Sequence, residues 1–368
     1  MKKKLFSAII IVSLLVLLIP GTAQAAGGLT VSTDSVVVDF PASITISLSA
    51  QSNVNVTDIR VHYTVERQSF AEVISEAYIS FTPAKTVNAQ WVWDMRISGG
   101  LPMGTDVTYW ITVTDASGSV AETVPDVIHF DDTRYDWQTI QEGQVTLKWY
   151  SGDESFSNSL MAAAQSALTR LADNTGAALT SNVTIYIYAN STDLRGALIN
   201  AQEWAGGIAF TQYGSIAIGI DPVTQLEWGK RTIAHELTHL VSYQVTCNPY
   251  NNMPTWLSEG LSMFAEGPLQ LAFVTALSSA EANNAFISVR SLCSPFPSGY
   301  DQAVLAYAES YKIVAYLINE YGRDKMFQML DAFKQGSGYD DVLLKVYGFD
   351  IDGLNTLWRT VPVAVYGQ

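Results

Sequence analysis

Residues Thr232–Leu240 read T-I-A-H-E-L-T-H-L, and the rest of the chain is interpreted outward from them. At about 100° per residue, a helix through this stretch carries His235 and His239 on one face, one turn apart. Ile233, Leu237, Leu240 and Val241 fall on the opposite face. Such a helix can bury one side and hold two imidazoles toward a single point from the other. Glu236 stands beside the imidazole face. His-Glu-x-x-His in this setting is the arrangement in which two His hold Zn²⁺ and the Glu takes a proton from a zinc-bound water. Alone, so short a pattern also arises by chance on an exposed helix.

A second stretch sharpens the reading. P-T-W-L-S-E-G-L-S-M-F-A-E-G runs from Pro254 to Gly267, and Glu259 follows His239 by 20 residues. Pro254 suits a helix start and Gly267-Pro268 a helix end. Trp256, Leu257, Gly260, Leu261 and Phe264 form a packing face, with Glu259 beside it. The interval lets one helix end, reverse, and lay a second alongside. Three protein ligands, His235, His239 and Glu259, plus one water make an open, catalytic zinc shell rather than a closed structural one.

These two motifs, H235-E-L-T-H239 and W256-L-S-E259-G-L, resemble the gluzincin zinc metallopeptidases, most of all the bacterial peptidase MA-like domains. The resemblance covers about residues 137–368 and is specific around the two motifs. It implies an α+β zincin-like, thermolysin-like domain, with His235, His239 and Glu259 as zinc ligands and Glu236 as general base and acid. Two departures stand out. Thermolysin-like enzymes carry Asp four residues after the ligand Glu, where this chain has Met263. They also use a downstream His on the transition state, and this chain has none after His239. Related gluzincins often use a tyrosine hydroxyl there, so Tyr307 and Tyr311, which share a face of a helical stretch ending at Gly322, are the candidates for an oxyanion donor. An aromatic stripe in a helix also reads as core. Glu266, two turns beyond Glu259, is a candidate to orient a ligand histidine.

The chain starts M-K-K-K-L-F-S-A-I-I-I-V-S-L-L-V-L-L-I-P-G-T-A-Q-A, a basic head, an apolar run and an A-x-A site. This is the pattern of a secretory signal over residues 1–25. The expectation is a secreted or extracytoplasmic protein with no stable membrane insertion after cleavage. Cleavage would remove three Lys and no acid from a chain of formal charge −15. So acidic a surface argues against nucleic acid or anionic lipid as a partner; the peptidase resemblance implies a peptide or protein substrate. Cys247 and Cys293 are the only two cysteines. In an exported protein they are expected to form a disulfide around the segment bearing Glu259.

Residues 30–131 alternate apolar and polar positions in about seven short runs, among them S-I-T-I-S-L-S-A and I-R-V-H-Y-T-V-E. This predicts an all-β immunoglobulin- or fibronectin-like sandwich. His62 and His129 lie in its strand patterns and not in a ligand cluster. Residues 131–143 read as a junction to the second domain, 137–368. There, 145–150 and 183–188 read as strands, the stretch after Asp153 as a helix ending near Gly176, and 192–202 as a short helix. Gly206–Phe210 and Ser215–Ile220 read as a hairpin whose glycines either let an extended substrate approach or merely form a turn. The chain thus reads as multi-domain and as an exported zinc endopeptidase. A surface-binding protein with a vestigial zinc domain, or a zinc hydrolase of a non-peptide substrate, shares the same motifs.

Overall fold

The computed structural model describes residues 23–24, 28–199, 206–250 and 253–362. The segment read as a secretory signal lies outside them apart from Ala23 and Gln24. No described helix is long and apolar enough to cross a membrane.

The N-terminal region is β-rich. Strands β1 (Ala23–Gln24), β2 (Thr30–Asp39), β3 (Ser43–Val65), β4 (Ser75–Tyr78), β5 (Ala84–Asp94), β6 (Thr105–Asp115), β7 (Val120–Glu122) and β8 (Asp126–Phe130) form one eight-stranded sheet, with the short helix α1 (Met95–Ser98) between β5 and β6. The separate sheets of a sandwich are not what these strands form. Strand β3 runs for 23 residues. Its first half pairs with β2 and β5, its second half with β4 and β6, and the register shifts around Val56. Gln51–Asn55 lies between two of the runs expected as separate strands, and it stays extended: Ser52 donates to Asp115, and Val56 is fully buried at the bulge. The sheet curls, so Ile44, Ile46 and Leu48 from one half and Ile59, Val61 and Ile111 from the other share one core. His62 stacks on Trp110, and exposed His129 sits 2.6 Å from Asp106.

The second region contains a five-stranded sheet of β9 (Gln138–Glu142), β10 (Val145–Trp149), β11 (Val183–Tyr188), β12 (Gly207–Phe210) and β13 (Ser215–Gly219). Their order is β12-β13-β11-β10-β9; the three central strands are parallel and both edges antiparallel. Around it lie α2 (Glu154–Thr175), α3 (Ser191–Arg195), α4 (Leu226–Thr246), α5 (Thr255–Glu266), α6 (Leu271–Asn283), α7 (Tyr300–Lys334), α8 (Tyr339–Tyr347) and α9 (Ile351–Leu357). Helix α7 is broken at Gly322, where φ is 80° and ψ 172°. The short helix read over 192–202 ends at Arg195, and residues 200–205 lie outside the described ones.

Side-chain alternation gives this sheet two different faces. Ile185, Ile187, Ile216 and Ile218 meet Ile233, Leu237 and Leu240 of α4. Tyr186, Tyr188 and Ala217 point the other way and belong to the core of the curled N-terminal sheet. The junction read over 131–143 is therefore structured. Its last residues form β9, and buried Asp132 accepts hydrogen bonds from Arg134 and from the Tyr188 hydroxyl. Tyr135 stacks on Tyr150 at 4.0 Å between ring centres.

The expected Cys247–Cys293 disulfide is not formed; both cysteines are free. Cys293 instead donates to the carbonyl of Val289, and burial pushes its thiol up to about 11. Cys247 ends α4 and interacts with Tyr243, one turn back.

Candidate metal centre

Helix α4 has no side-chain cap at its start, so packing fixes it. Ile233, Leu237, Leu240 and Val241 are fully buried on its inner face. This turns His235, Glu236 and His239 outward, toward α5.

Helix α5 is held at both ends. The Thr255 hydroxyl donates to the carbonyl of Cys293, and Arg170 of α2 donates to the carbonyl of Ala265. Trp256, Leu257 and Leu261 anchor it in the helical core. Gly260 sets its height. A Cβ there would stand 2.4 Å from the carbonyl oxygen of Ser310 and 2.6 Å from Val314 Cγ2, so only glycine lets α5 lie this close to α7. The other face of α5 is a polar stripe of Thr255, Ser258, Glu259, Ser262 and Glu266, at helical spacing.

Three ligand atoms, one each from His235, His239 and Glu259, all lie within 4.8 Å of one another. Glu259 Oε2 is 3.3 Å from His235 Nε2 and 3.6 Å from His239 Nε2. It is buried and makes no hydrogen bond. A buried carboxylate oxygen left without a partner, facing two imidazole nitrogens, fits a divalent cation bound among them. The outer nitrogens are also engaged. His235 Nδ1 lies 2.9 Å from Glu266 Oε1, and His239 Nδ1 lies 3.1 Å from Ser258 Oγ and 3.3 Å from Ser262 Oγ. With its proton on Nδ1, each ring presents the Nε2 lone pair inward. The carboxylate absent at position 263 is thus supplied by Glu266, and the serines on His239 are visible in the sequence only as part of the α5 polar stripe.

The electrostatics point the same way. Burial opposes charge on His235, but the adjacent Glu259 and Glu266 carboxylates override it and lift the ring to about 10. Burial would raise the Glu259 carboxyl; the charges of His239 and His235 outweigh that and hold it below its ordinary value. The group of acids around the imidazoles calls for positive charge at this point.

Two clefts meet at Glu236 and Gly207, which line both. One, of about 420 Å³, runs past His239, Ser258 and Glu259 toward Tyr243. The other, of about 300 Å³, runs past His235, Met263 and Tyr307 toward Trp228 and Phe273. Edge strand β12 forms one wall. A Cβ on Gly207 would meet Thr232 Cγ2 at 3.0 Å and Glu236 Oε1 at 3.3 Å. Of the two tyrosines singled out by sequence, Tyr307 faces the site: its ring centre is 6.3 Å from that of His235. Burial raises its hydroxyl, and Glu259, Glu236 and Glu266 raise it further, so it stays protonated. Tyr311, one turn on, packs beside Phe264 and Met263 and lines neither cleft.

Among solved structures, a zinc metallopeptidase of the M1 type from Deinococcus radiodurans is 13% identical, with 88% of this chain and 92% of that one covered, at a TM-score of 0.35. Aminopeptidase A of Legionella pneumophila is 10% identical over 89% of this chain and 50% of that one, at 0.37. At such scores neither overlap supports an argument. No curated protein matches the chain. The sequence model of the peptidase MA superfamily matches residues 163–364, which include both motifs and more than half of the chain. The α4–α5 pair that brings His235, His239 and Glu259 together lies wholly within that match, and the chain belongs to the peptidase MA superfamily.

Proposed function

We propose that this protein is an exported, zinc-dependent endopeptidase. The observation that carries the reading is the convergence of His235, His239 and Glu259 at the meeting point of two clefts lined by Glu236. Those three residues would hold zinc, which when bound supplies Lewis acidity to the attacking water and the scissile carbonyl. Glu236 accepts the proton of that water and returns it to the leaving amine. The Tyr307 hydroxyl, kept protonated by its surroundings, donates a hydrogen bond to the carbonyl oxygen as charge develops there. Among the described residues strand β12 has a strand partner on one side only, which leaves its other edge to pair with an extended peptide, and Gly207 permits close approach. Clefts on both sides of Glu236 favour cleavage within a chain over removal of terminal residues. The secretory pattern of residues 1–25 supports export.

The test is a quenched fluorescent peptide, acetylated at its N-terminus and amidated at its C-terminus. Cleavage should vanish with a chelator and return with zinc, and Glu236→Gln should bind zinc without cleaving. No turnover by the zinc-loaded protein, or full turnover by the variant, would overturn the proposal.

A further inference from the structure

The cleft past His239 does not stop at α4. Thr211, just beyond β12, lines both this cleft and a second one of about 630 Å³. That second cleft lies between the two regions of the chain. It shares Glu66 and Arg67 with a third, of about 510 Å³, on the loop joining β3 to β4. The depressions therefore adjoin in series from Glu236 to the N-terminal region. The loop is tied to the end of β12: the amide of Gln68 donates to the carbonyl of Gln212 at 2.7 Å. Arg67 lines the second cleft together with Gln244 of α4. At its far end the loop exposes Phe70 by 58% and Val73 by 56%. Both line the third cleft.

From this continuity we propose that the β3–β4 loop is a distal substrate site, holding the stretch of an unfolded polypeptide that runs on from the cleaved bond. The inference rests on the peptidase reading. An extended strand advances about 3.3 Å per residue, so Gly207 to Thr211 corresponds to roughly 13 Å, or about four substrate residues. Substrate positions about four and five residues from the cleaved bond then reach Arg67, and the next ones reach Phe70 and Val73. Glu66, Glu72 and Asp106 around Arg67 make the lining net acidic, and Phe70 and Val73 stand exposed in it, so the occupant that fits is apolar and not acidic. A polypeptide also explains why the apolar side chains stand at the end of a groove instead of on a flat face.

The experiment compares a blocked short peptide with the same core extended by eight residues on one side or the other. The extensions carry either leucine or serine from the fourth position onward. Wild type should cleave the leucine extension on one side about tenfold faster in kcat/KM than the short peptide, as partial burial of one apolar side chain gives. The double variant Phe70→Ser, Val73→Ser should lose that gain and still cleave the short peptide within twofold. Equal loss on both peptides, or no gain from extension in wild type, overturns the inference. So does a dimer that disappears in the variant while the gain persists, which assigns the surface to a second copy. A wild type that cleaves none of the peptides refutes the peptidase reading itself and is distinguishable from these outcomes.

Discussion

Replacing Gly207 with alanine puts one methyl group between the edge strand and α4. Its Cβ would sit 3.0 Å from Thr232 Cγ2 and 3.3 Å from Glu236 Cγ and Oε1, where ordinary contacts begin at 3.4 Å. The deficit is about 0.4 Å at Thr232 and about 0.1 Å at Glu236. The backbone at Gly207 is not left-handed, so crowding and not strain sets the effect. The strand or the Glu236 carboxylate must yield by a few tenths of an ångström. Since a misplacement of about 1 Å costs about 100-fold in rate, alanine should lower kcat/KM by about tenfold, or about 1.4 kcal/mol, and valine by about 100-fold or more. Zinc content should not change, because the atoms nearest the added Cβ belong to Thr232 and Glu236 and not to His235, His239 or Glu259. The atom in the way is mainly a methyl group, so adding Thr232→Ser to the alanine variant should restore most of the rate. The assay is kcat/KM on a blocked peptide, with zinc measured by atomic absorption. If the alanine variant keeps full activity, or if Thr232→Ser restores none of what is lost, the close approach of β12 to Glu236 does not shape the active site.

Other consequences follow from neighbouring contacts. Glu266→Ala should weaken zinc binding by about 10–100-fold, read by competition with a chelator, because it frees His235 Nδ1; unchanged affinity would separate Glu266 from the metal. Tyr307→Phe should lower kcat by about 100-fold with little change in KM, and Tyr311→Phe should leave both near wild type; full turnover in both variants would remove tyrosine from the mechanism. Gly260→Ala should destabilise the fold by about 1–3 kcal/mol through collision with the Ser310 carbonyl, seen as a lower Tm with metal removed. Burial raises the Glu309 carboxyl to about 8, from 4.5 in the unfolded chain, so the folded state binds the extra proton between those values. Stability from this group is present below pH 4.5 and is lost as pH rises toward 8, by at most about 1.4 kcal/mol per pH unit. Glu309→Gln should flatten that slope in urea midpoints taken at pH 5 and pH 8.

The features legible in the sequence are those encoded within a few turns of one helix. Spacings of four in α4 and the polar stripe of α5 determine which side chains face each other, so His235, His239, Glu259 and Glu266 converge as their periodicity requires. Long-range geometry was much less legible. Gln51–Asn55 separates two runs that alternate like separate strands, and contacts with residues far along the chain, Ser52 with Asp115 and buried Val56 with the core, keep β3 continuous. The two cysteines suggested a bridge because export favours one, yet spacing says nothing about where thiols point, and each has a local partner. Residues 131–143 read as a linker because β9 is short and polar, and it becomes a strand only by pairing along the edge of β10. Tyr307 and Tyr311 differ by one turn of one helix, and the position of α5 determines which of them faces the metal site.

The two-faced sheet has a consequence for attempts to dissect the molecule. A fragment starting near Gly143 would keep the metal-binding helices but lose β9 and leave Tyr186, Tyr188 and Ala217 facing water. Such a truncation should aggregate when expressed alone, and the intact protein should melt in a single step. Mapping the boundaries of the catalytic unit by deletion would therefore report the loss of a shared wall and not the loss of chemistry.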